Sequence, residues 1–467
     1  MNKNTTFILL FIITFLSRIP FLGNGYGVEE DSWGTAVAAY HYNTSGIYET
    51  SRLPGHPVQD TLYALIWHCG SWWFNFLTAL FSSFSVLFFA LFLNKIGVKQ
   101  FLLAAFAFAF CPIVYISSCY TIDYMWAMAF LMAACYFSVS QKPILFALLL
   151  ALAIGCRVTT GAMLLPLLLY LYDSKKTIIT NCVQFAKPVF LTLLFSSILY
   201  IPIFKTYGLN FMVYYDQFHP SIAKLIYKGT IGVFGCIGTV GLLLSIIYTF
   251  FTRKKQTAFQ LYNKPLGNLQ VIAITVSILL FVINYLQLPQ KSAYLITAIP
   301  FIIMLCSFYM NKKVFSVLCF SFIASSFICS INLTNKYRGA NYSSVASKHT
   351  LSGQEIFFDP LSGPIFSDYS KRKNKLAFTN EVIAKTVSFS KKTIIISGWW
   401  YNQLIIEQLK QQQNPLIIYI DYINEESLIQ SISEGCKVVY LPEQEINNDV
   451  MHNIKNTTNF ATAMFKQ

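Results

Sequence analysis

The sequence predicts a polytopic α-helical membrane protein of about eleven transmembrane helices, followed by a small extracytoplasmic α/β domain. Three observations predict it. Hydrophobic residues fill 55% of the 467 positions, 42 of them Phe, and the mean hydropathy is +0.52. A soluble chain of this size does not carry so much apolar surface. Apolar runs of roughly 18 residues, the length that crosses ~30 Å of hydrocarbon, recur from the start to about residue 331. From residue 332 the composition turns polar, and short apolar strands alternate with helical stretches. The long runs do not alternate as barrel strands would, and an open sheet could not satisfy its backbone in lipid.

Taken in order, spans are expected at 5–22, 71–94, 101–118, 122–140, 143–156, 158–172, 187–204, 229–251, 269–287, 292–310 and 314–331. Gly155-Cys-Arg157-Val-Thr-Thr-Gly161 interrupts the run at 143–172 with a charge, a pattern that two shorter, partly re-entrant helices satisfy. The first run lacks a small-residue cleavage site and reads as a retained span. Short loops hold most of the basic residues of this half: Lys95 and Lys99, Lys142, Lys175 and Lys176, Arg253 to Lys255, Lys312 and Lys313. This positive-inside bias puts the N-terminus in the cytoplasm. Segment 23–60, the Arg157 break, the 205–228 loop, the loop around Lys291 and everything after 331 then fall outside. The net charge of +14 is thereby an orientation signal, and nucleic acid is not an expected partner. The localisation expected is a bacterial inner (plasma) membrane.

The division is into a transmembrane unit, 1–331, and a soluble unit, 332–467. In the latter, Thr393–Ser397, Gln403–Gln411, Pro415–Asp421, Glu425–Ser433 and Lys437–Pro442 read β-α-β-α-β, which implies a parallel sheet. Bulky Gly398-Trp-Trp-Tyr401 stands where a phosphate loop would need glycines. The eleven Cys are scattered through apolar runs without metal-ligand spacing and read as small buried hydrophobes. Asn-x-Ser/Thr triplets at Asn43, Asn332, Asn341 and Asn456 are too short to carry an assignment.

In a chain with 12% charged residues, segment 23–60 stands out. It holds Glu29, Glu30 and Asp31, then Arg52-Leu-Pro-Gly-His56-Pro. A solvated loop is the plain reading, but ionisable residues at a membrane boundary are functional candidates. Asp123, Arg157, Lys205, Lys291 and Tyr294 are expected on the same face. Carboxylates beside cations suit one kind of chemistry, in which a carboxylate takes a proton from an acceptor hydroxyl while Arg and Lys hold a leaving phosphate. Each residue has a structural alternative. Arg18 and Arg157 could be snorkelling anchors, Asp123 a helix cap, His56 a turn residue and Lys291 an interfacial anchor.

The order of these elements resembles the GT-C integral-membrane glycosyltransferases of the protein-mannosyltransferase and aminoarabinose-transferase kind. Leu16-Ser-Arg18-Ile-Pro-Phe-Leu-Gly23 is similar to a first span closing on Arg, and Glu29-Glu-Asp31 to the acidic pair of the first outer loop. Ala36–Tyr40 and Gly46-Ile-Tyr48 look like the following helix and its G-x-Y element, and Arg52-Leu-Pro-Gly-His-Pro57 like a Pro-Pro-Gly-His-Pro element. Asp123 opens a span, Leu150–Arg157 looks like a G-L-A-x-x-x-K element with Arg for Lys, and Gln287–Pro300 resembles an Arg/Lys-x-x-Tyr-Leu element. The usual Asp-Glu order is reversed in Glu30-Asp31, which leaves the catalytic position open between them.

The resemblance implies an inverting transfer of a sugar from a polyprenyl phosphate to a glycan, lipid or protein acceptor. Glu30 or Asp31 would be the base, with Glu29 beside them. Arg52, Arg157, Lys291, His56 and Tyr294 would bind the donor phosphate. Asp123 would orient the site or join Asp31 on a divalent cation, Mg²⁺ or Mn²⁺ being the candidate cofactor. The alternative class is a multi-span transporter or lipid flippase, against which the chain has no inverted repeat.

Overall fold

The computed structural model describes residues 2–173, 176–212, 220–253, 268–333, 339–351, 354–410, 414–446, 450–452, 454 and 462–464. Lys175, Lys254, Lys255, Gln411, Asn456 and part of the 205–228 loop lie outside the described residues.

Helices occupy every expected span, except that the last, expected to reach 331, ends at Phe327 and passes into a strand at Ser330. Lys3–Arg18 runs into a 3-10 turn at Ile19–Phe21, and Ser71–Lys95, Tyr124–Val139, Pro143–Cys156, Ile178–Tyr207, Ile231–Arg253, Asn268–Gln287 and Lys312–Phe327 follow. Four runs are broken, one of them within Ile231–Arg253, where Gly235 leaves helical geometry (φ 67°, ψ −179°). The one at 101–118 splits into Phe101–Ala109 and Pro112–Ser117, because Pro112 has no N–H to continue the ladder and starts a new helix instead. Arg157 adopts extended backbone between Pro143–Cys156 and a 3-10 stretch, Val158–Met163, which leads into Leu164–Leu171. Ser292–Ala298 is likewise 3-10 before Ile299–Tyr309. Among the described residues six helices are long and apolar enough to cross a membrane, and Tyr124–Val139, Pro143–Cys156 and Val158–Leu171 are shorter apolar pieces. The difference from eleven comes partly from breaks, at Pro112 and Arg157, and partly from Tyr124–Val139 and Lys312–Phe327 being unbroken helices of only 16 residues.

Ser71–Lys95 and Tyr124–Val139 pack together at the centre. Their buried faces carry Ala79, Ser82, Ser83, Ser85 and Ala90 on one side and Ala127, Ala133 and Ala134 on the other. Small residues allow close backbone approach, the packing that works where lipid gives no hydrophobic drive between helices.

The C-terminal part holds two sheets. The expected parallel one is present: Ile417–Ile420, Thr393–Ile396 and Lys437–Tyr440 are neighbours in that order, with Thr462–Ala463 at the edge. Its helices are Tyr401–Lys410 and Glu425–Ser433. The antiparallel sheet of Ser330–Asn332, Gln354–Asp359 and Ser347–Leu351 and the long helix Pro364–Thr386 are additions; the sequence reading left them unassigned apart from Ser330 and Ile331, which it had placed in the last span. That helix fastens the C-terminal part to the bundle. Arg372, buried, donates to the carbonyls of Phe21 (2.9 Å), Gly23 (3.2 Å) and Cys119 (3.0 Å), and Lys375 donates to Val28 O (2.8 Å). The acidic segment therefore sits against the C-terminal part, which covers it.

Candidate active site

The first strand of the site comes from a turn. Asn24 (φ 68°) and Gly25 (φ 81°) both take left-handed backbone, and a Cβ on Gly25 would fall 2.6 Å from the Trp33 ring. The chain then enters the Glu30–Ser45 helix with Glu29 at its N-cap and Glu30 and Asp31 in the first turn, where the helix dipole favours negative charge. Successive helical residues point about 100° apart, so these carboxylates diverge. Glu29 accepts from Lys291 Nζ (2.5 Å), while Asp31 accepts from Lys291 and Arg52. Glu30 turns to the soluble cover and accepts from Asn402 Nδ2 (3.1 Å).

Arg52 and His56 are joined by a turn in which the Gly55 N–H donates to Arg52 O (3.0 Å). Gly55 has φ 91°, and Pro57 starts the next helix, Pro57–Leu65. Arg52 Nε donates to His56 Nε2 (3.2 Å), and His56 Nδ1 lies 2.8 Å from Cys156 O. A carbonyl can only accept, so the proton is on Nδ1 and Nε2 is the acceptor.

Asp123 is buried and takes Arg52 on one oxygen and Arg157 (2.6 Å) on the other, with His56 Nδ1 at 3.9 Å. It makes no side-chain cap bond to the Tyr124–Val139 helix, so the capping alternative fails. Arg157 lies over the rings of Tyr124 (4.5 Å) and Tyr294 (5.1 Å) and is no snorkelling anchor. Cation–π contact with two rings orients the guanidinium. Arg18 is elsewhere, buried within the bundle over the Tyr115 ring at 4.1 Å and donating to Ser17 Oγ (2.7 Å). Lys205 is exposed and does not join the cluster.

Asp31, Arg52, His56, Arg157, Lys291 and Tyr294 line one cavity of about 370 Å³, together with apolar Leu53, Pro54, Val158 and Leu288. Glu29 and Lys291 line a second, of about 300 Å³, under the Pro364–Thr386 helix. Glu30 lines neither. Glu29, Asp31 and Asp123 balance Arg52, Arg157 and Lys291, so each cation already has an anion and an incoming phosphate must displace one.

The electrostatics separate the neighbouring carboxyls. Burial pushes Glu30 up to about 7, reinforced by Asp31 and Asp421. Burial acts on Asp31 as well, but Arg52 and Lys291 outweigh it and hold that carboxyl at about 2. Asp31 and Asp123 do not converge on a common vacant point; the Arg52 guanidinium lies between them. Among the described residues no three His, Cys, Asp or Glu side chains gather as a metal site. This donor set does not fit a divalent ion, since a resident cation already takes both carboxylates.

Sequence reasoning missed several members. Asp60, buried, accepts from Tyr48 OH (2.6 Å) and from the His56 N–H (3.1 Å), which braces the His56 turn. Its four-residue spacing from His56 on a helix start was the available signal. Asn402, Arg372 and Lys375 come from the C-terminal part, and nothing local in the sequence connects them to the acidic loop.

Apolar helices, broken spans and a polar site beneath the C-terminal part define an integral membrane protein. The chain is similar throughout to ArnT from Cupriavidus metallidurans, crystallised in the apo state: TM-score 0.54 and 9% identity over 98% of this chain and 92% of that one. No protein-family model and no curated protein matches it.

Proposed function

We propose that this chain is a glycosyltransferase that moves a sugar from a polyprenyl-phosphate donor to an acceptor hydroxyl at the outer face of the membrane. The N-terminus is read as cytoplasmic and residues 332–467 as extracytoplasmic. One observation carries the reading: Asp31 and Arg52 of segment 23–60, Arg157 and Lys291, drawn from three distant parts of the chain, meet at one cavity. The GT-C-like fold supports the same class.

In this reading Arg52, Arg157 and Lys291 receive the donor phosphate, with His56 and Tyr294 flanking them. Arg suits a phosphate because its planar fork can bind two oxygens. The apolar side chains of Leu53, Val158 and Leu288 accept the first lipid units. Asp31 is the base. Its depressed pKa comes from Arg52 and Lys291; as the phosphate takes up those cations, the carboxylate regains basicity. The acceptor oxygen bonds to the anomeric carbon as its proton passes to Asp31. The anomeric C–O bond breaks, its electron pair stays on the lipid phosphate, and the configuration inverts. Charge stabilisation of the leaving phosphate by preorganised cations is the principal contribution. No step needs a metal ion.

Mass spectrometry of membrane lipids from cells with and without the gene tests this. A polyprenyl monophosphate carrying one sugar accumulates in the absence of the gene, and its mass gives the sugar. An unchanged pool, with another lipid building up on the inner leaflet, overturns the reading in favour of a flippase.

A further inference from the structure

The second cavity lies on the other side of Gln290 and Lys291, which line both spaces. Its wall combines loop, bundle and C-terminal helix, and it holds polar groups that the protein leaves unsatisfied. Asn332 is 8% exposed, and its Oδ1 accepts from Lys371 Nζ (2.6 Å) and Ser367 Oγ (3.2 Å). Those two donors fix the amide orientation and leave Nδ2 as a buried donor without a partner. Ser330 Oγ, 3% exposed on the same wall, also has none. Buried polar groups are normally satisfied, and each exception calls for a cause. The burial of Asn332 also removes it as a glycosylation acceptor.

The wall is cationic as well. Lys228 donates to Gln290 O and Lys371 to Asn332. Among the described residues neither amine has a carboxylate within ion-pairing distance, and burial lowers the pKa of both, that of Lys228 to about 8, so an anion bound between them would restore the charged form. Asp368 is on this wall too, but Arg372 Nε occupies it at 3.0 Å. Free donors and two lysine amines without a carboxylate partner call for a ligand rich in acceptor oxygens and carrying negative charge.

We infer that this cavity is the acceptor subsite and takes a polyhydroxylated head group bearing an oxyanion, either carboxylate or phosphate. The assignment rests on the transferase reading above. It gives the C-terminal part a role in recognition, because Ser367, Asp368 and Lys371 come from the Pro364–Thr386 helix. The oxyanion is held between Lys228 and Lys371, and Asn332 Nδ2 and Ser330 Oγ bind ring oxygens. The partition formed by Lys291 and Glu29 is where a hydroxyl of the acceptor reaches the transfer cavity.

Calorimetry on the full chain in detergent tests the subsite without requiring turnover. The probes are glucuronate, glucose 6-phosphate and glucose. Binding of glucuronate or glucose 6-phosphate at least about tenfold tighter than glucose is expected, with Lys371→Met and Asn332→Ala each weakening it about tenfold or more. The stronger of the two charged probes identifies the oxyanion. Equal binding of glucose, binding indifferent to both substitutions, or no binding by any probe overturns the inference. Size-exclusion profiles and binding of undecaprenyl phosphate, both expected unchanged, separate lost contacts from misfolding. If undecaprenyl phosphate binding proves indifferent to Arg157→Ala while the Lys371 dependence stands, the donor reading fails and this subsite survives.

Discussion

Lys291 Nζ lies 2.5 Å from Glu29 Oε2 across 262 positions of chain, and the same ammonium also holds Asp31. A late loop and the first one are thus locked together at the wall between the two cavities. With Arg52, Arg157 and Asp123 the cluster is charge-balanced, so an incoming anion competes with Glu29 and Asp31 for the ammonium. That gives the ligand-free protein an ordered site and gives a phosphate a defined way to change it.

Asp31 and Glu30 are expected to respond differently to neutralisation. Asp31→Asn lowers turnover by about 10²–10⁴-fold, the usual contribution of a general base. Glu30→Gln stays within a few-fold, because Glu30 faces Asn402 rather than a cavity. Transfer assays on equal amounts of detergent-monodisperse protein decide it. Equal losses in the two variants would remove Asp31 from the base position.

Arg157 is expected to act on the donor. Its guanidinium is held by Asp123 and two tyrosine rings, a geometry that lysine does not reproduce. Arg157→Ala lowers kcat/KM for varied donor by about 10–100-fold, the loss of one charge-assisted bond of roughly 1.5–3 kcal/mol. Arg157→Lys recovers little. Steady-state kinetics with each substrate varied in turn make the check, and an equal loss for the acceptor contradicts the assignment.

Glu30 makes the cover pH-sensitive. Its folded pKa of about 7 is above the ordinary 4.5, so the folded state binds the proton more tightly. The resulting stabilisation is present below about 4.5 and disappears as the pH rises through about 7. Thermal midpoints of the wild type should therefore fall across that window relative to Glu30→Gln, which has no proton to lose. Parallel curves for the two proteins would show that Glu30 is not the titrating group.

Arg372 holds the cover to the loop. Substitution by Met leaves three carbonyls without their donor and Asp368 without its partner at 3.0 Å. Removing one member of a buried pair costs about 3–5 kcal/mol. A lower thermal midpoint and faster proteolysis between residues 332 and 392 are expected from limited digestion of the detergent-solubilised protein. Wild-type protection in that segment would rule out the fastening role.

Much of the architecture was readable in one dimension. Spans follow from the hydropathy of contiguous residues, and the parallel sheet of the C-terminal part from apolar strands such as Thr393–Ile396 set between polar helices. One interruption was readable too, the charge of Arg157, whereas the break at Pro112 was passed over within an expected span of 101–118. The candidates Asp31, Arg52, His56, Asp123, Arg157, Lys291 and Tyr294 were also legible, because an ionisable group beside lipid needs a reason to be there.

What the sequence by itself determined, then, is what neighbours along the chain set: the positions of the apolar helices, the Arg157 break, the acidic segment and the roster of cations. Only the tertiary structure decided the pairing. Glu30 and Asp31 are adjacent in sequence, yet the helical turn between them sends one to Asn402 and the other to Arg52 and Lys291. It also decided that Asp123 binds guanidinium instead of capping its helix, and that Asn332 and Lys371 share a wall with Lys291. The physical reason is that electrostatic partnership depends on distance and burial, and these are fixed by packing between segments hundreds of residues apart.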